Sequence, residues 1–124
     1  MRVIMQNNDS NRSDTSKIKR SKVGLRTVLT PEGSITSKDS TALEGMFEEF
    51  IAGKETEIIV DMKTVSFIDS VSLELLSKLN EDLKQKGGRL KFINLNAICK
   101  DIFIATRLIN SMRIYGDIHD AIRS

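Results

Sequence analysis

At 124 residues the chain has the size of one domain with a single buried core, and its 40% apolar and 29% charged residues are usual for a globular protein. No apolar run approaches the roughly 18 residues that cross a bilayer, which argues against a membrane span. The only cysteine, Cys99, excludes an internal disulfide. Together with an apolar N-terminal stretch too short for a signal peptide, it predicts a cytoplasmic protein.

The formal net charge of +2 is unevenly distributed along the chain. Residues 1–24 carry six Lys and Arg against two acids, whereas residues 25–124 carry 13 against 15. Nucleic-acid-binding domains usually place a basic patch on the folded body, and the body is mildly acidic here. The charge pattern therefore argues against a nucleic-acid partner.

The first 17 residues differ in composition from the rest of the chain. Residues 6–16 contain no apolar side chain, and a segment with no apolar surface to bury does not pack. We therefore expect residues 1–17 to be a flexible polar extension that is dispensable for folding. Residues 18–124 are expected to form the domain.

The first predicted strand covers residues 23–30, where β-branched residues are frequent, and it is closed by Pro31 and Gly33. Residues 36–41 then offer several helix N-cap candidates. The helix that follows ends at Gly53 and has one apolar face, because its apolar residues recur at spacings of three and four. That face consists of Leu43, Met46, Phe47, Phe50 and Ile51.

A second strand, over residues 57–62, contains three consecutive apolar residues, which predicts an interior strand with both faces covered. The second helix runs from Ser70 to Lys86 and is terminated by the glycine pair 87–88. This pair lacks the surrounding motif of a phosphate loop and follows a helix rather than a strand. The buried stripe of the helix is formed by Leu73, Leu76, Leu79 and Leu83, with Leu75 on the flank.

The remaining elements continue the alternation of strands and helices. A strand is predicted over residues 90–95, then a third helix capped by Asn96 and ending near Thr106, a short strand over 112–115 and a last helix over 118–122. The apolar set of the third helix is Ile98, Ile102, Phe103 and Ala105. Such alternation predicts an α/β fold with right-handed crossovers and a largely parallel sheet.

Asp69 and Ser70 lie where the chain passes into the second helix, at a point where free backbone N–H groups and the positive end of the helix dipole are expected. A hydroxyl at such a position can cap the helix or carry a phosphate. Both residue types are preferred N-caps, so spacing alone favours capping. Asp61 and Asp69 could share a magnesium ion, but a strand-end carboxylate and a helix cap explain them more simply.

The sequence contains no set of residues that would make Ser70 an enzyme nucleophile. The only histidine, His119, lies near the C-terminus, and Ser70 lacks the GxSxG elbow of the α/β-hydrolases. Cys99 has no histidine close in sequence and is expected to be a small, semi-buried hydrophobic residue. One His and one Cys cannot form a structural zinc site. We therefore predict no enzymatic activity, no metal and no cofactor.

Four stretches of the chain match the motifs of one family in order and spacing. Residues 67–73 resemble its signature, which reads aromatic, apolar, Asp, Ser or Thr, any residue, Gly, Leu. Residues 33–36 resemble a Gly-x-Leu-Asp/Thr turn, residues 86–90 a Gly-Gly before a strand, and residues 96–108 the third-helix pattern. The family is STAS (sulfate transporter and anti-sigma factor antagonist), and the resemblance covers roughly residues 20–123. It implies a STAS-like α/β fold with a mixed but mostly parallel sheet of four to five strands and about four helices.

The resemblance also implies an anti-sigma factor antagonist that acts by partner switching. In such proteins the Ser after the signature Asp, Ser70 here, is phosphorylated by an anti-sigma factor that is also a serine kinase of the GHKL ATPase type. The unmodified form binds this kinase and frees a sigma factor. The phosphorylated form lets go, and a PP2C-type phosphatase restores it. The implied partner-binding residues are Asp69, Ser70, Val71, Ser72, Leu73, Glu74, Ser34 and Thr36.

The chain departs from the family pattern at four positions. Ser72 occupies the signature Gly, Arg107 a later Gly, Ala97 a frequent Pro, and Pro31 an apolar strand position. Ser72 is expected to enlarge the surface that a kinase approaches, and its hydroxyl is either a helix-start group or a second phosphosite. Two alternatives stay open: an unphosphorylated STAS scaffold subunit of a signalling complex or lipid-transport ATPase, and a small hydrolase that uses Ser70.

Overall fold

The computed structural model describes residues 17–124, so the extension expected over residues 1–17 lies, except for its last residue, outside the described residues. The strands are β1 (Ile18–Val23), β2 (Arg26–Pro31), β3 (Gly33–Ile35), β4 (Glu57–Asp61), β5 (Val65–Ile68), β6 (Arg89–Ile93) and β7 (Arg113–Tyr115). The helices are α1 (Ser40–Ala52), α2 (Ser70–Gln85), α3 (Ala97–Ala105) and α4 (Ile118–Arg123), and short 3₁₀ turns cover Ser37–Asp39 and Leu108–Asn110. Lys17, the first described residue, pairs with Asp39 at 3.1 Å.

Five strands form the main sheet in the order β1-β2-β4-β6-β7. β1 runs antiparallel to β2, and the pairs β2–β4, β4–β6 and β6–β7 are parallel. The predicted α/β fold, with its mixed but mostly parallel sheet and four helices, is confirmed for the described residues. β4 lies in the middle, and its three consecutive apolar residues are buried as predicted: Ile58, Ile59 and Val60.

The strand predicted over residues 23–30 is confirmed in its larger part as β2, but it begins later than predicted, because β1 and β2 form a hairpin in this region. β1 and β2 are joined at Gly24 and Leu25, and Gly24 has the positive φ of 65° that a tight turn can require. Of the β1 residues only Ile18 is buried. This edge strand therefore carries no alternating apolar pattern by which the sequence could reveal it.

Two short strands form a second sheet that the sequence analysis does not predict. The motif at residues 33–36 predicts a turn, but Gly33–Ile35 is strand β3, which pairs in parallel with β5. With three and four residues, these strands are too short to show a repeating pattern. Their pairing brings the segment before α1 next to the segment before α2.

Helices α1, α2 and α3 pack into one large core on one face of the main sheet. The predicted stripe of α2 is confirmed, since its four leucines are all buried: Leu73, Leu76, Leu79 and Leu83. Four of the five residues on the predicted face of α1 are also buried: Leu43, Met46, Phe47 and Phe50. The spacing of apolar residues was therefore a reliable guide to the two longer helices.

Helix α3 begins as predicted at the N-cap Asn96, whose side chain accepts a hydrogen bond from the Cys99 backbone N–H at 2.8 Å. The predicted apolar set is partly wrong, because Ile98 is 57% exposed and Ala105 is exposed, whereas Cys99 and Phe103 are fully buried. Apolar residues occur on several sides of this short helix. Its rotation is consequently set by packing against the core, which the sequence alone does not reveal.

The other face of the main sheet carries a buried cation close to α4. Lys91 on β6 is fully buried, and its ammonium group donates to Glu57 Oε2 at 3.2 Å, to the Ala121 carbonyl at 2.7 Å and to Ser124 Oγ at 2.8 Å. The ring centre of Tyr115 lies 5.5 Å from the same nitrogen. Because all three ammonium protons have acceptors, the charge is satisfied and the last turn of α4 is anchored to the sheet.

Candidate functional site

The start of α2 lies against the turn that precedes α1. In the small sheet, Ser34 pairs with Phe67 and Ile35 with Ile68. The Asp69 backbone N–H then donates to the Ile35 carbonyl at 3.1 Å. Two segments that are far apart in sequence therefore leave the small sheet side by side.

Asp69 is the N-cap of α2 and joins these two segments. Its Oδ1 accepts a hydrogen bond from the Ser72 backbone N–H at 2.9 Å, and its Oδ2 accepts one from the Ser37 backbone N–H at 3.0 Å. The Ser72 backbone N–H, then the nearby Ser72 hydroxyl and, less strongly, the Ser37 N–H favour the ionised carboxylate and lower the pKa of Asp69 below its ordinary value. The predicted capping role of Asp69 is confirmed, whereas its contact with Ser37 was not predicted.

Ser70 is the first residue of α2, and its side chain is exposed. Since the carboxylate of Asp69 supplies the capping interaction, the interpretation of Ser70 itself as the cap is wrong. The free N–H groups of the first turn and the positive end of the helix dipole lie on its side of the helix. This arrangement leaves the Ser70 hydroxyl accessible to a partner.

Two residues of the predicted partner-binding set are buried. Ser72 has 0% exposure, and its Oγ lies near the Asp69 carboxylate but forms no hydrogen bond of good geometry among the described residues. Leu73 is 3% exposed and belongs to the large core. The expectation that Ser72 enlarges the kinase-facing surface is therefore wrong, and a buried hydroxyl is not a second phosphosite. The sequence did carry a signal, because Ser72 lies four residues before Leu76 and so shares the buried stripe of α2.

The other predicted residues lie on and beside the start of α2. Val71 is 49% exposed and Glu74 is exposed, while Ser34 and Thr36 are half-buried. Phe67 is 45% exposed on β5, although the sequence analysis did not select it. As the aromatic residue of the signature motif it could have been found. We call the following residues the Ser70 face: Ser34, Thr36, Phe67, Asp69, Ser70, Val71 and Glu74.

An open hollow of about 420 Å³ adjoins Ser70 between α2 and the segment after α3. It is lined by Ser70, Leu73, Glu74, Ser77, Thr106 and Leu108. The end of the third-helix motif therefore contributes to the same surface as the signature motif.

The other residues weighed in the sequence do not assemble with the start of α2. Asp61 accepts hydrogen bonds from the Lys63 backbone N–H at 3.1 Å and the Asn94 amide at 3.0 Å. Burial raises the pKa of the Cys99 thiol, and His119 is exposed on α4, across the main sheet from α2. In the described part of the chain, no group of three or more His, Cys, Asp or Glu is placed to hold a metal ion. No helix of that part is long and apolar enough to cross a membrane.

Comparisons with known proteins agree with this architecture. A family model described as the STAS domain matches residues 16–121. The anti-sigma-F factor antagonist RsfB of Mycobacterium tuberculosis is 27% identical over 97 residues, which cover 77% of this chain and 77% of RsfB. A candidate anti-sigma factor antagonist from Thermotoga maritima has a TM-score of 0.80 at 20% identity, covering 89% of this chain and 95% of its own. The Bacillus cell fate determinant SpoIIAA in its phosphorylated form has a TM-score of 0.66 at 19% identity, covering 86% of this chain and 96% of its own.

Asp69→Asn should separate the two contacts of this carboxylate. Asn is as good an N-cap as Asp, but its amide has a single accepting oxygen, so only one of the Ser72 and Ser37 N–H groups keeps its partner. We expect the free energy of unfolding, measured by urea denaturation at neutral pH, to fall by about 1–2 kcal/mol. Asp117→Asn is the matched control, because Asp117 caps α4 through one oxygen, and its stability should be nearly unchanged. Equal losses in the two variants would contradict the bridging role.

The contribution of Asp69 to stability should depend on pH. Because its pKa is lower in the folded than in the unfolded state, the unfolded chain binds more protons in acid. The stabilisation is present above the ordinary aspartate pKa of about 3.9 and is lost as the pH falls through the lower folded value. The stability difference between wild type and Asp69→Asn, measured by urea denaturation over a pH series, should therefore shrink in acid. A difference that stays constant would refute this assignment.

Ser72→Ala should change the free energy of unfolding by less than about 1 kcal/mol in either direction, because the removed hydroxyl is buried without a well-formed hydrogen bond, so its contact with Asp69 is offset by its desolvation. Thr27→Val is the contrasting control. Thr27 is also buried, but its hydroxyl bonds to Glu55 and Lys22, so this variant should lose about 1–2 kcal/mol. A comparable loss in Ser72→Ala, measured by urea denaturation, would show that the Ser72 hydroxyl has a stabilising partner.

Proposed function

The chain belongs to the STAS domain family, and from this premise we propose that it is an anti-sigma factor antagonist that acts by partner switching. In this proposal the Ser70 face of the unmodified chain binds an anti-sigma factor, which then releases its sigma factor. The protein is a binding partner and a phosphorylation substrate rather than an enzyme. The observation that carries the proposal is the exposed Ser70 hydroxyl at the first position of α2, beside a cap that Asp69 already provides.

The relatives support the class of partner. RsfB and the Thermotoga protein are described as antagonists of anti-sigma factors, and SpoIIAA exists in a phosphorylated form. We therefore propose that the partner is an anti-sigma factor that is also a serine kinase of the GHKL ATPase type. A PP2C-type phosphatase would reverse the modification.

The unmodified surface suits a protein partner. Phe67 and Val71 expose apolar side chains close to Ser70 in sequence, and covering such groups contributes about 25 cal/mol for each Å² removed from water. The hollow of about 420 Å³ beside Ser70 offers a recess for a partner side chain. Because Phe67 and Val71 lie on either side of Ser70 in the chain, we expect a kinase that covers them to reach Ser70 as well.

Phosphorylation would transfer the γ-phosphoryl group of ATP to Ser70 Oγ. A bond forms between Oγ and the γ-phosphorus while the bond from that phosphorus to the bridging oxygen of ADP breaks, and the hydroxyl proton passes to a base of the kinase. The nucleotide and its magnesium ion belong to the kinase. The present chain needs only to present the hydroxyl.

The fold is expected to tolerate the phosphate. Ser70 is exposed, and its phosphate would lie near the N-terminus of α2, where the helix dipole favours negative charge by about 0.3–1 kcal/mol. No core side chain has to move to accommodate it. The modification therefore changes the surface and leaves the packing intact.

The interface with the partner, in contrast, is expected not to tolerate a phosphate on Ser70. A phosphate adds a charge of about −1.5 to −2 beside the carboxylates of Asp69 and Glu74. Excluding water from these like charges is unfavourable, and the loss or repulsion of one buried charge contact commonly costs about 2–5 kcal/mol of binding, or roughly 30- to several-thousand-fold in affinity. A change of this size releases the partner.

Ser70→Glu should fold like the wild type and lose the anti-sigma factor. Calorimetric titration with the GHKL-type anti-sigma factor kinases of the source organism should show an affinity at least about 30-fold lower for Ser70→Glu and unchanged for Ser70→Ala. Both variants change an exposed side chain. Their free energies of unfolding, from urea denaturation, should therefore stay within about 0.5 kcal/mol of the wild type.

Ser21→Glu is the matched control for charge, because Ser21 is exposed on the edge strand β1 and pairs with Val28 of the smaller core cluster, away from α2. It should bind the kinase like the wild type. Equal affinities of wild type and Ser70→Glu would refute the switch and favour a scaffold subunit of a signalling complex or a lipid-transport ATPase. A wild type that binds none of these kinases would refute the proposed partner class.

A further inference from the structure

The 3₁₀ turn whose Ser37 N–H donates to Asp69 also forms an ion pair with a lysine that precedes β1. Lys17, just before β1, donates from Nζ to the Asp39 carboxylate, at 3.1 Å to Oδ2 and 3.3 Å to Oδ1. The same ammonium group donates to the Ser34 carbonyl of β3. Lys17 thus connects the start of β1 with both ends of the segment 34–39.

Asp39 is a buried carboxylate that these contacts hold in place. The residue is only 2% exposed, so little water solvates it. Its Oδ2 also accepts the Thr36 backbone N–H at 2.8 Å, which closes the capping box of the 3₁₀ turn. Lys17 supplies the positive charge that makes a carboxylate stable at this depth.

Two successive backbone N–H groups in this turn are therefore bound by two different carboxylates. Thr36 donates to Asp39, and the next residue, Ser37, donates to Asp69 at 3.0 Å. Since neighbouring peptide units move together, a displacement of Asp39 would also turn the Ser37 N–H away from Asp69. The position of the helix cap is coupled in this way to the ion pair at the start of the domain.

We propose that Lys17 is a positioning residue of the Ser70 face: by neutralising Asp39 it fixes the segment 34–39 against Asp69. Lys17 itself need not touch the partner. The consequence for binding rests on the proposed function, whereas the consequence for the turn follows from the contacts of this chain alone. Without the lysine, the Asp39 carboxylate would rotate into water and carry Thr36 with it.

The ion pair of Lys17 is less exposed to solvent than that of its neighbour Lys19. Lys19 pairs with Glu32 at 3.1 Å, but the two side chains are 69% and 50% exposed, and such surface pairs contribute little. The Lys17 side chain is 31% exposed and its partner's only 4%. Lys19→Met is therefore a matched control, because it removes the same charge two residues away without leaving a buried carboxylate unpaired.

The first test measures the turn without any partner. In the full chain, NMR hydrogen exchange of the Ser37 amide should be about tenfold faster in Lys17→Met than in the wild type, which corresponds to ~1.4 kcal/mol of lost protection. Lys19→Met should exchange like the wild type, and Lys17→Arg, which keeps a donor cation, should restore slow exchange. Unchanged Ser37 exchange in Lys17→Met would overturn the proposal. So would equal acceleration of the amides in the core of α2, because this would indicate general destabilisation.

The second test measures the consequence for recognition. With a GHKL-type kinase that binds the wild type, calorimetry should show about tenfold weaker binding of Lys17→Met and unaltered binding of Lys19→Met. In steady-state phosphorylation, Lys17→Met should raise KM with little change in kcat, because the hydroxyl itself is intact. Wild-type affinity and KM in Lys17→Met would overturn the positioning role. A wild type that binds no kinase would refute the proposed function instead, and the Ser37 exchange result would then decide on the turn.

Discussion

The two-oxygen contact of Asp69 is the interaction on which the rest of the site depends. One carboxylate oxygen binds the Ser72 N–H of the helix start, and the other binds the Ser37 N–H of a turn more than thirty residues earlier in the chain. Asp69 thereby provides the hydrogen-bond acceptor that caps the start of the helix. The Ser70 hydroxyl is left exposed next to an N-terminus that accommodates negative charge. A structural cap and a modifiable residue can therefore occupy adjacent positions without competing.

The geometry of this contact is supported from two directions. The small β3–β5 sheet brings the two segments together, and the buried Asp39, paired with Lys17, fixes the turn on its far side. Behind them, the large core formed by α1, α2 and α3 on the main sheet gives the helix a rigid base. Because the surface is built on this packed base, a charge added at Ser70 is expected to alter binding more than folding.

The sequence predicted those features that have a period or a strong local preference. Apolar residues at spacings of three and four identified α1 and α2, and the Asp69 and Asn96 caps were found from residue type and position. The hairpin and the small sheet were missed, because their strands are short or half-exposed. The roles of Lys17 and Lys91 were not predicted, since the partners of each ammonium group come from distant parts of the chain. The prediction that Ser72 lies on the partner-facing surface was wrong because it rested on the position of Ser72 in the signature motif. Its place in the buried stripe of α2 was not considered.

We propose that Ser70 is the residue that receives the phosphate and that Ser72 is shielded from it. The most direct test is to incubate the full chain with ATP and a GHKL-type kinase that binds the chain. Mass spectrometry of peptides from the chain then locates the phosphate. We expect one phosphate, on Ser70, and none on the Ser70→Ala variant. A phosphate on Ser72, or an unmodified Ser70 in a chain that the kinase binds, would contradict it.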